Sequence, residues 1–242
     1  MPTKFRSLAA ALLALGIAGC ASTSTTTSSD QNDPYEATNR KIFELNQSFD
    51  KHVALPVAVF YNETIPEPAR NGVHNLLVNL DLPVTFLNDV FQGEAKLAVD
   101  TLGRFVVNST VGIGGLMDVA AKTGIPEHES DFGETLAEYG VDEGPFLVLP
   151  LLGPSNPRDA VGYVADVFLD PTAYVTFRSD TYFRLGRTTL KIVDIRARNV
   201  DALNELERTS VDLYATERSL YRQHREAEIR RGKPDLQNLP NF

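Results

Sequence analysis

Residues 181–231 read TYFRLGRTTLKIVDIRARNVDALNELERTSVDLYATERSLYRQHREAEIRR, and this stretch decides the fold. It contains no proline and one glycine, Gly186. Strands are short and bounded by turn residues, so a run of this length without a breaker predicts two or three consecutive helices. Leu203, Leu206, Leu213, Tyr214 and Tyr221 are placed to supply their buried sides.

Toward the N-terminus, most segments add a further helix. Asn156-Pro157 starts one with Val161, Val164 and Phe168 on a face, ended by Asp170-Pro171. Asp131-Phe-Gly-Glu134 has the spacing of a capping box, and Gly140 supplies a stop after Tyr139. Residues 94–107 carry Leu97, Leu102, Phe105 and Val106 at helical spacing. Pro68 opens a helix with Val73, Leu76, Leu77 and Leu80 in an i, i+3, i+4, i+7 pattern; Pro83 is expected to close it, and a short helix to follow up to Gly93. In Asp33-Pro34-Tyr35-Glu36, Asp33 reads as the cap, Pro34 as the first helical residue and Glu36 as the reciprocal partner. Tyr35, Ile42, Leu45 and Phe49 then form a stripe expected to face a core, in a helix ending before Pro56. Residues 145–154, PFLVLPLLGP, have prolines too frequent for a helix interior and should run extended. The expected fold is all-α, a single domain over residues 33–232 with one short extended Pro-rich segment and a tail at 233–242.

The N-terminus reads differently. Lys4 and Arg6 precede an apolar run from Leu8 to Gly19, and Ile17-Ala18-Gly19-Cys20 has the form of a lipoprotein processing site. A run this short does not span a bilayer as a helix, which needs about 20 residues. Cys20 is the only cysteine, so it has no intramolecular disulfide partner, and its thiol can be alkylated by a diacylglyceryl group. Residues 1–19 are therefore expected to be removed as a signal peptide, Cys20 to carry lipid, and residues 20–32, rich in Ser and Thr, to serve as a flexible tether. Position 21 is Ala rather than the Asp that resembles an inner-membrane retention signal, which points to the inner leaflet of an outer membrane.

Composition narrows the partners. The chain carries a net charge of −9, and loss of Lys4 and Arg6 with the leader makes it two units more negative, so nucleic acid is not expected to bind. Between Thr123 and Pro157 there is no Lys or Arg, while Glu127, Glu129, Asp131, Glu134, Glu138, Asp142 and Glu143 all fall there. That stretch reads as a solvated acidic face turned to the periplasm, and the apolar stretches near Arg70, Lys96, Arg104 and Arg158 as the lipid interface. No Gly-x-Ser-x-Gly elbow occurs, His128-Glu129 lacks a zincin's second histidine, and His52, His74 and His224 stand apart, so neither an enzyme nor a metal or other cofactor is expected.

One segment is unusual. Residues 105–117 carry no charge, yet Asn108, Ser109 and Thr110 and the glycines Gly112, Gly114 and Gly115 interrupt the apolar run. Glycines permit close backbone approach, which suits either a tight helical turn in a core or a narrow passage with mixed apolar and hydroxyl walls.

Five blocks in order give the chain a family resemblance. They are Asp33-Pro-Tyr-Glu-Ala-Thr-Asn39-Arg40; Val57-Ala-Val with Pro66-Glu-Pro-Ala-Arg70-Asn71-Gly72; Gly112-Ile-Gly-Gly-Leu-Met-Asp118; Asp131-Phe-Gly-Glu-Thr-Leu-Ala-Glu-Tyr-Gly-Val; and Gly144-Pro-Phe-Leu-Val-Leu-Pro150-Leu-Leu-Gly-Pro-Ser155-Asn-Pro-Arg158-Asp159. The sequence resembles the MlaA (VacJ) outer-membrane lipoproteins over roughly residues 33–232, departing at Asp142-Glu143, where relatives often carry Gly or Pro. The resemblance implies a ring or disc of amphipathic helices in the inner leaflet around a central channel. It also implies association with trimeric porins, and delivery of phospholipids mislocalised in the outer leaflet to a soluble periplasmic carrier, which maintains lipid asymmetry. Dragging an ionised head group through hydrocarbon costs several kcal/mol, and a polar-lined groove lowers that barrier. Asn108, Ser109, Thr110 and Asp118, interleaved with Val111, Ile113 and Leu116 on the bent backbone of Gly112, Gly114 and Gly115, are the expected wall. A structural lipoprotein that decorates porins without moving lipid is the competing expectation, and a lipid-modifying enzyme a third.

Overall fold

The structure, a computed structural model, describes residues 32–174 and 180–231. The expected signal peptide, Cys20, the tether up to residue 31 and the tail at 233–242 lie outside the described residues. The elements are α1 (Glu36–Phe49), a π-helical turn (Asp50–Ala54), α2 (Leu55–Thr64), α3 (Glu67–Phe91), α4 (Ala95–Thr110), α5 (Val119–Lys122) and α6 (Phe132–Glu138). After these come β1 (Leu147–Leu149), β2 (Gly153–Ser155), α7 (Pro157–Leu169), a 3-10 turn (Pro171–Ala173), α8 (Asp180–Arg198), α9 (Val200–Thr209) and α10 (Leu213–Arg230). The body is all-α, and residues 181–231 form the last three helices as their lack of breakers predicts.

Local signals explain many of the helix starts. Asp131 accepts from the Glu134 N–H at 2.8 Å, Asn156 from the Asp159 N–H at 2.8 Å, and Asp212 from the Ala215 N–H at 3.1 Å. Each satisfies a first-turn donor that the helix itself leaves free. Gly140, at φ +80°, ends α6 where expected.

Other signals were overridden. Asp33 does not cap α1; no side chain does, and Asp33 instead binds Asn39, Tyr214 and Arg218, the last at 2.7 Å. Pro56 does not end the first helical stretch, because the π turn leads directly into α2 and the missing N–H falls in the first turn of α2, where none is needed. Pro83 sits inside α3, which runs on to Phe91 and absorbs the separate short helix expected there. Buried residues on both sides of it, Leu77, Asn79 and Leu82 before and Thr85, Asn88 and Asp89 after, fix the helix across the lost bond. The extended segment is a hairpin of two antiparallel strands, with Leu147 opposite Ser155 and Leu149 opposite Gly153.

The elements contact one another in a closed circuit. α1 passes through the π turn to α2, α2 packs on α8, α8 on α3, α3 on α6, α6 on α10, and α10 on β2, whose partner β1 returns to α1. α4 lies along α3, and α7 along α6. The hydrophobic core is small. Phe146 and Val148 of the hairpin region meet Tyr214 of α10, with Ile42, Phe43 and Tyr221 packed around them and Phe43 edge-on to Tyr214 at 5.5 Å.

Candidate functional site

The distribution of polarity is inverted. Among the described residues, nine hydrophobic residues are buried, four of them alanines, whereas 18 polar or charged residues are buried and 32 large hydrophobics are exposed. A water-soluble body of this size buries its large apolar side chains first. Of the stripe Tyr35, Ile42, Leu45 and Phe49, expected to face a core, Ile42 packs against it while Tyr35, Leu45 and Phe49 are exposed. So are Val161 and Phe168 on the expected face of α7, and Leu203 on α9. Exposed Phe60 on α2, Val99 and Val106 on α4, and Leu185 and Ile195 on α8 extend the same pattern. No helix among the described residues is long and apolar enough to cross a membrane. Amphipathic helices of this kind bury their apolar faces in an interface instead.

The buried polar side chains form networks. Arg225 of α10 donates to Asp131 at 2.7 Å and to Asp159 at 2.9 Å, and lies 3.4 Å from Glu134. Arg231 reaches Glu134 at 3.0 Å, and Tyr221 donates to Asp159 at 2.6 Å. Burial, and then Asp131 beside it, push the Glu134 carboxyl up to about 7 against the pull of Arg225 and Arg231. Burial also works to raise Asp159, yet the bonds from Arg225 and Tyr221 outweigh it and hold its carboxyl below the ordinary value. Next to this network, Asn88 links α3 to Asp166 of α7 at 2.8 Å and to Thr135 of α6 at 3.0 Å. Next to Asn88 on α3, Asp89 accepts from Thr101 at 2.6 Å and pairs with His128 at 3.0 Å.

The sequence-predicted wall divides into two parts. Val111, Ile113 and Leu116 are exposed, on a backbone with positive φ at Ile113, Gly114 and Gly115. The polar members bind within the protein. Asn108 donates to Asp118 at 3.0 Å and accepts from the N–H groups of Val119 and Ala120; Asp118 also takes a bond from buried Arg104 at 2.9 Å and caps α5. Burial raises the Asp118 carboxyl, but the bonds from Ala121, Arg104 and Asn108 bring it below its ordinary value. Ser109 accepts from Asn79 of α3 at 3.0 Å, and the Thr110 hydroxyl donates to its own helix at Val106. Gly112 and Gly115 allow the close approach: a Cβ on Gly115 would stand 2.7 Å from the Asn79 side chain. The segment is thus a tight turn that docks on α3 while presenting apolar side chains outward.

One charge expectation is corrected, and another divides. Arg104 and Arg158 are buried rather than at an interface, because Arg104 serves Asp118, Glu127 and the Ile125 carbonyl, and Arg158 lies against Asp159. In the 127–143 stretch Glu127, Glu129, Glu138 and Asp142 are exposed as expected, whereas Asp131 and buried Glu134 pair with Arg225, and Glu143 pairs with Arg222. The sequence reading missed the buried polar residues of α3, although Thr85, Asn88 and Asp89 stand at i, i+3 and i+4 and signalled a polar face turned inward.

Comparison with known proteins agrees with this geometry. The family model described as MlaA lipoprotein matches residues 31–228. The intermembrane phospholipid transport system lipoprotein MlaA of Escherichia coli is 34% identical over 95% of this chain and 92% of its own length. That of Haemophilus influenzae is 34% identical over 93% and 91%, and a Rickettsia bellii protein 36% over 81% and 76%. A solved structure described as "Structural basis for maintenance of bacterial outer membrane lipid asymmetry" matches with a TM-score of 0.72 at 33% identity, covering 81% of this chain and 98% of its own. The chain belongs to the MlaA lipoprotein family.

Proposed function

We propose that this protein is a lipid-anchored lipoprotein of the outer membrane's inner leaflet that withdraws phospholipids mislocalised in the outer leaflet and passes them, chemically unaltered, to a soluble periplasmic carrier. The observation that carries the reading is the inversion of polarity: large apolar side chains point outward from most helices while Asn, Asp, Glu and Arg are enclosed. An apolar exterior makes hydrocarbon the surrounding solvent, and a circuit of helices with polar side chains inside offers a charged head group a path that avoids that hydrocarbon. The Asn108–Asp118 turn, with Ser109 and Asn79 beneath it, is the proposed wall of that path. Cys20 supplies the anchor at the end of the Ser- and Thr-rich tether, and two or three acyl chains hold firmly where one is marginal. Trimeric porins are the proposed neighbours, since they give the disc access to the far leaflet.

The test is the phospholipid content of the outer leaflet in cells with and without the gene, read through the activity of an outer-membrane phospholipase. Loss of the gene is expected to raise that signal. An unchanged signal would leave a porin-associated structural lipoprotein as the reading, and a covalently changed lipid in mass spectra would indicate an enzyme.

A further inference from the structure

A cavity of about 190 Å³ lies where the C-terminal turn of α2, the first turn of α3 and the last turn of α8 meet. Tyr61 and Asn62, Glu67 and Arg70, and Asp194 and Arg198 line it. Asp194 is 2% exposed, so the floor is deep, whereas Glu67 at the rim is exposed. A space of this size is too small for a whole lipid and suited to a polar head.

Its internal bonding is incomplete in a specific way. One oxygen of Asp194 takes bonds from His74 at 2.8 Å and Arg198 at 3.1 Å; the other, Oδ1, is buried with no partner. Arg70 spends one terminal nitrogen on Asn62, while its Nε is buried without an acceptor, and the Tyr61 hydroxyl is buried without either. A buried polar group left unpaired costs about 1–3 kcal/mol, more when charged, so three around one small cavity call for a common occupant. That occupant must donate to a carboxylate and accept from a guanidinium. Arg198 and Arg70 supply positive charge, Asp194 and Glu67 negative charge. Helix ends add to both: the first turn of α3 is the positive end of its dipole, and the last turn of α8 the negative end.

We infer that this cavity is a head-group site for a zwitterion carrying a phosphate and a primary ammonium, the chemistry of phosphoethanolamine. The phosphate faces Arg70 and Arg198, and the ammonium donates to Asp194 Oδ1 and the Tyr61 hydroxyl. A quaternary ammonium has no N–H to give, so a choline head leaves Asp194 unpaired. A free anion leaves it unpaired as well. The inference rests on the lipid-transport reading and gives it a head-group preference.

The test titrates the full chain in nonionic detergent with O-phosphoethanolamine, phosphocholine and inorganic phosphate, followed by phosphorus NMR. O-phosphoethanolamine is expected to bind about tenfold more tightly than either of the others, the size of effect that one unpaired buried group produces. Tyr61→Phe removes a hydroxyl that no protein group uses, so it should weaken O-phosphoethanolamine about tenfold with the melting temperature unchanged. Absence of binding by all three probes, equal binding of inorganic phosphate or phosphocholine, or an unaffected Tyr61→Phe variant would each overturn the site. For the lipid-borne group, the protein is exposed to vesicles of equal phosphatidylethanolamine and phosphatidylcholine and the retained lipid weighed by native mass spectrometry. Enrichment of phosphatidylethanolamine that Tyr61→Phe abolishes supports the inference; equal retention contradicts it. Failure here leaves the effect of gene loss on the outer leaflet intact, whereas failure of the transport reading would appear in that assay and not in the titration.

Discussion

Glu134 is enclosed on α6 with two arginines and a second carboxylate around it, and its proton affinity has a consequence for stability. Its folded-state value of about 7 lies above the ordinary 4.5, so the folded form holds the extra proton more tightly than the unfolded chain does. The stabilisation is complete below about 4.5 and is lost as pH rises through about 7. Glu134→Gln mimics the protonated form. Its melting temperature in detergent should match the parent near pH 4.5 and exceed it at pH 8; equal slopes for both proteins across that window would count against the assignment. Asp159 has the opposite sign, since its folded value is depressed and its contribution disappears as pH falls. At Gly114, φ is +68° and a Cβ would meet nothing within 4 Å. Gly114→Leu therefore places a bulky group at the proposed wall at a backbone cost of about 1 kcal/mol. Such a variant should reach the membrane normally and fail to clear outer-leaflet phospholipid, measured by the same phospholipase readout.

At the scale of elements, α6 and α7 meet through two glycines. A Cβ on Gly162 would overlap the Gly133 backbone, and one on Gly133 would stand 2.6 Å from Arg225. Gly162→Ala is expected to lower stability by about 1–3 kcal/mol through forced separation of the two helices, despite the better helix propensity of alanine. Thermal unfolding that rises instead would refute the close approach. Element identity was largely legible in the sequence, because caps such as Asp131 and Asn156 and the breaker-free 181–231 stretch act locally. Boundaries at prolines were not. Pro83 and Pro56 are helix-ending signals only where nothing beyond the local chain holds the helix, and here packed neighbours on α3 and a π turn do. Asp33 misled for the same reason: its partners Tyr214 and Arg218 lie far along the chain, and no local pattern announces them.

At the scale of the whole molecule, the stripe of α1 divides: Ile42 faces the core as read, whereas Tyr35, Leu45 and Phe49 face outward. Periodicity gives a face; which solvent that face meets is a property of the surroundings. The tally of exposed Leu, Val and Phe against buried Asn, Asp and Arg shows what the stripe of α1 alone does not. The turn at 108–118 was legible as glycine-bent and mixed in polarity, but the partners of Asn108 and Asp118 were not, since Arg104 and the α5 N–H groups reach them only in the folded form. Membrane attachment should accordingly have two parts. Cys20→Ala is expected to abolish incorporation of labelled palmitate, while the apolar exterior keeps the protein in the detergent phase of a detergent–water partition. Labelled palmitate retained by the variant would defeat the anchor, and transfer of the variant to the aqueous phase would defeat the apolar exterior.

The hairpin of residues 147–155 joins the two ends of the folded chain, with Asn39 of α1 held by the Phe146 carbonyl and the Val148 N–H, and β2 resting against α10. Arg218 on α10 bonds Asp33 just ahead of α1. The first helix to be synthesised therefore finds its clasp only when the last has followed, so the circuit closes late. Truncations that remove residues 213–231 should leave the circuit permanently unlatched, seen as a lowered melting temperature in detergent.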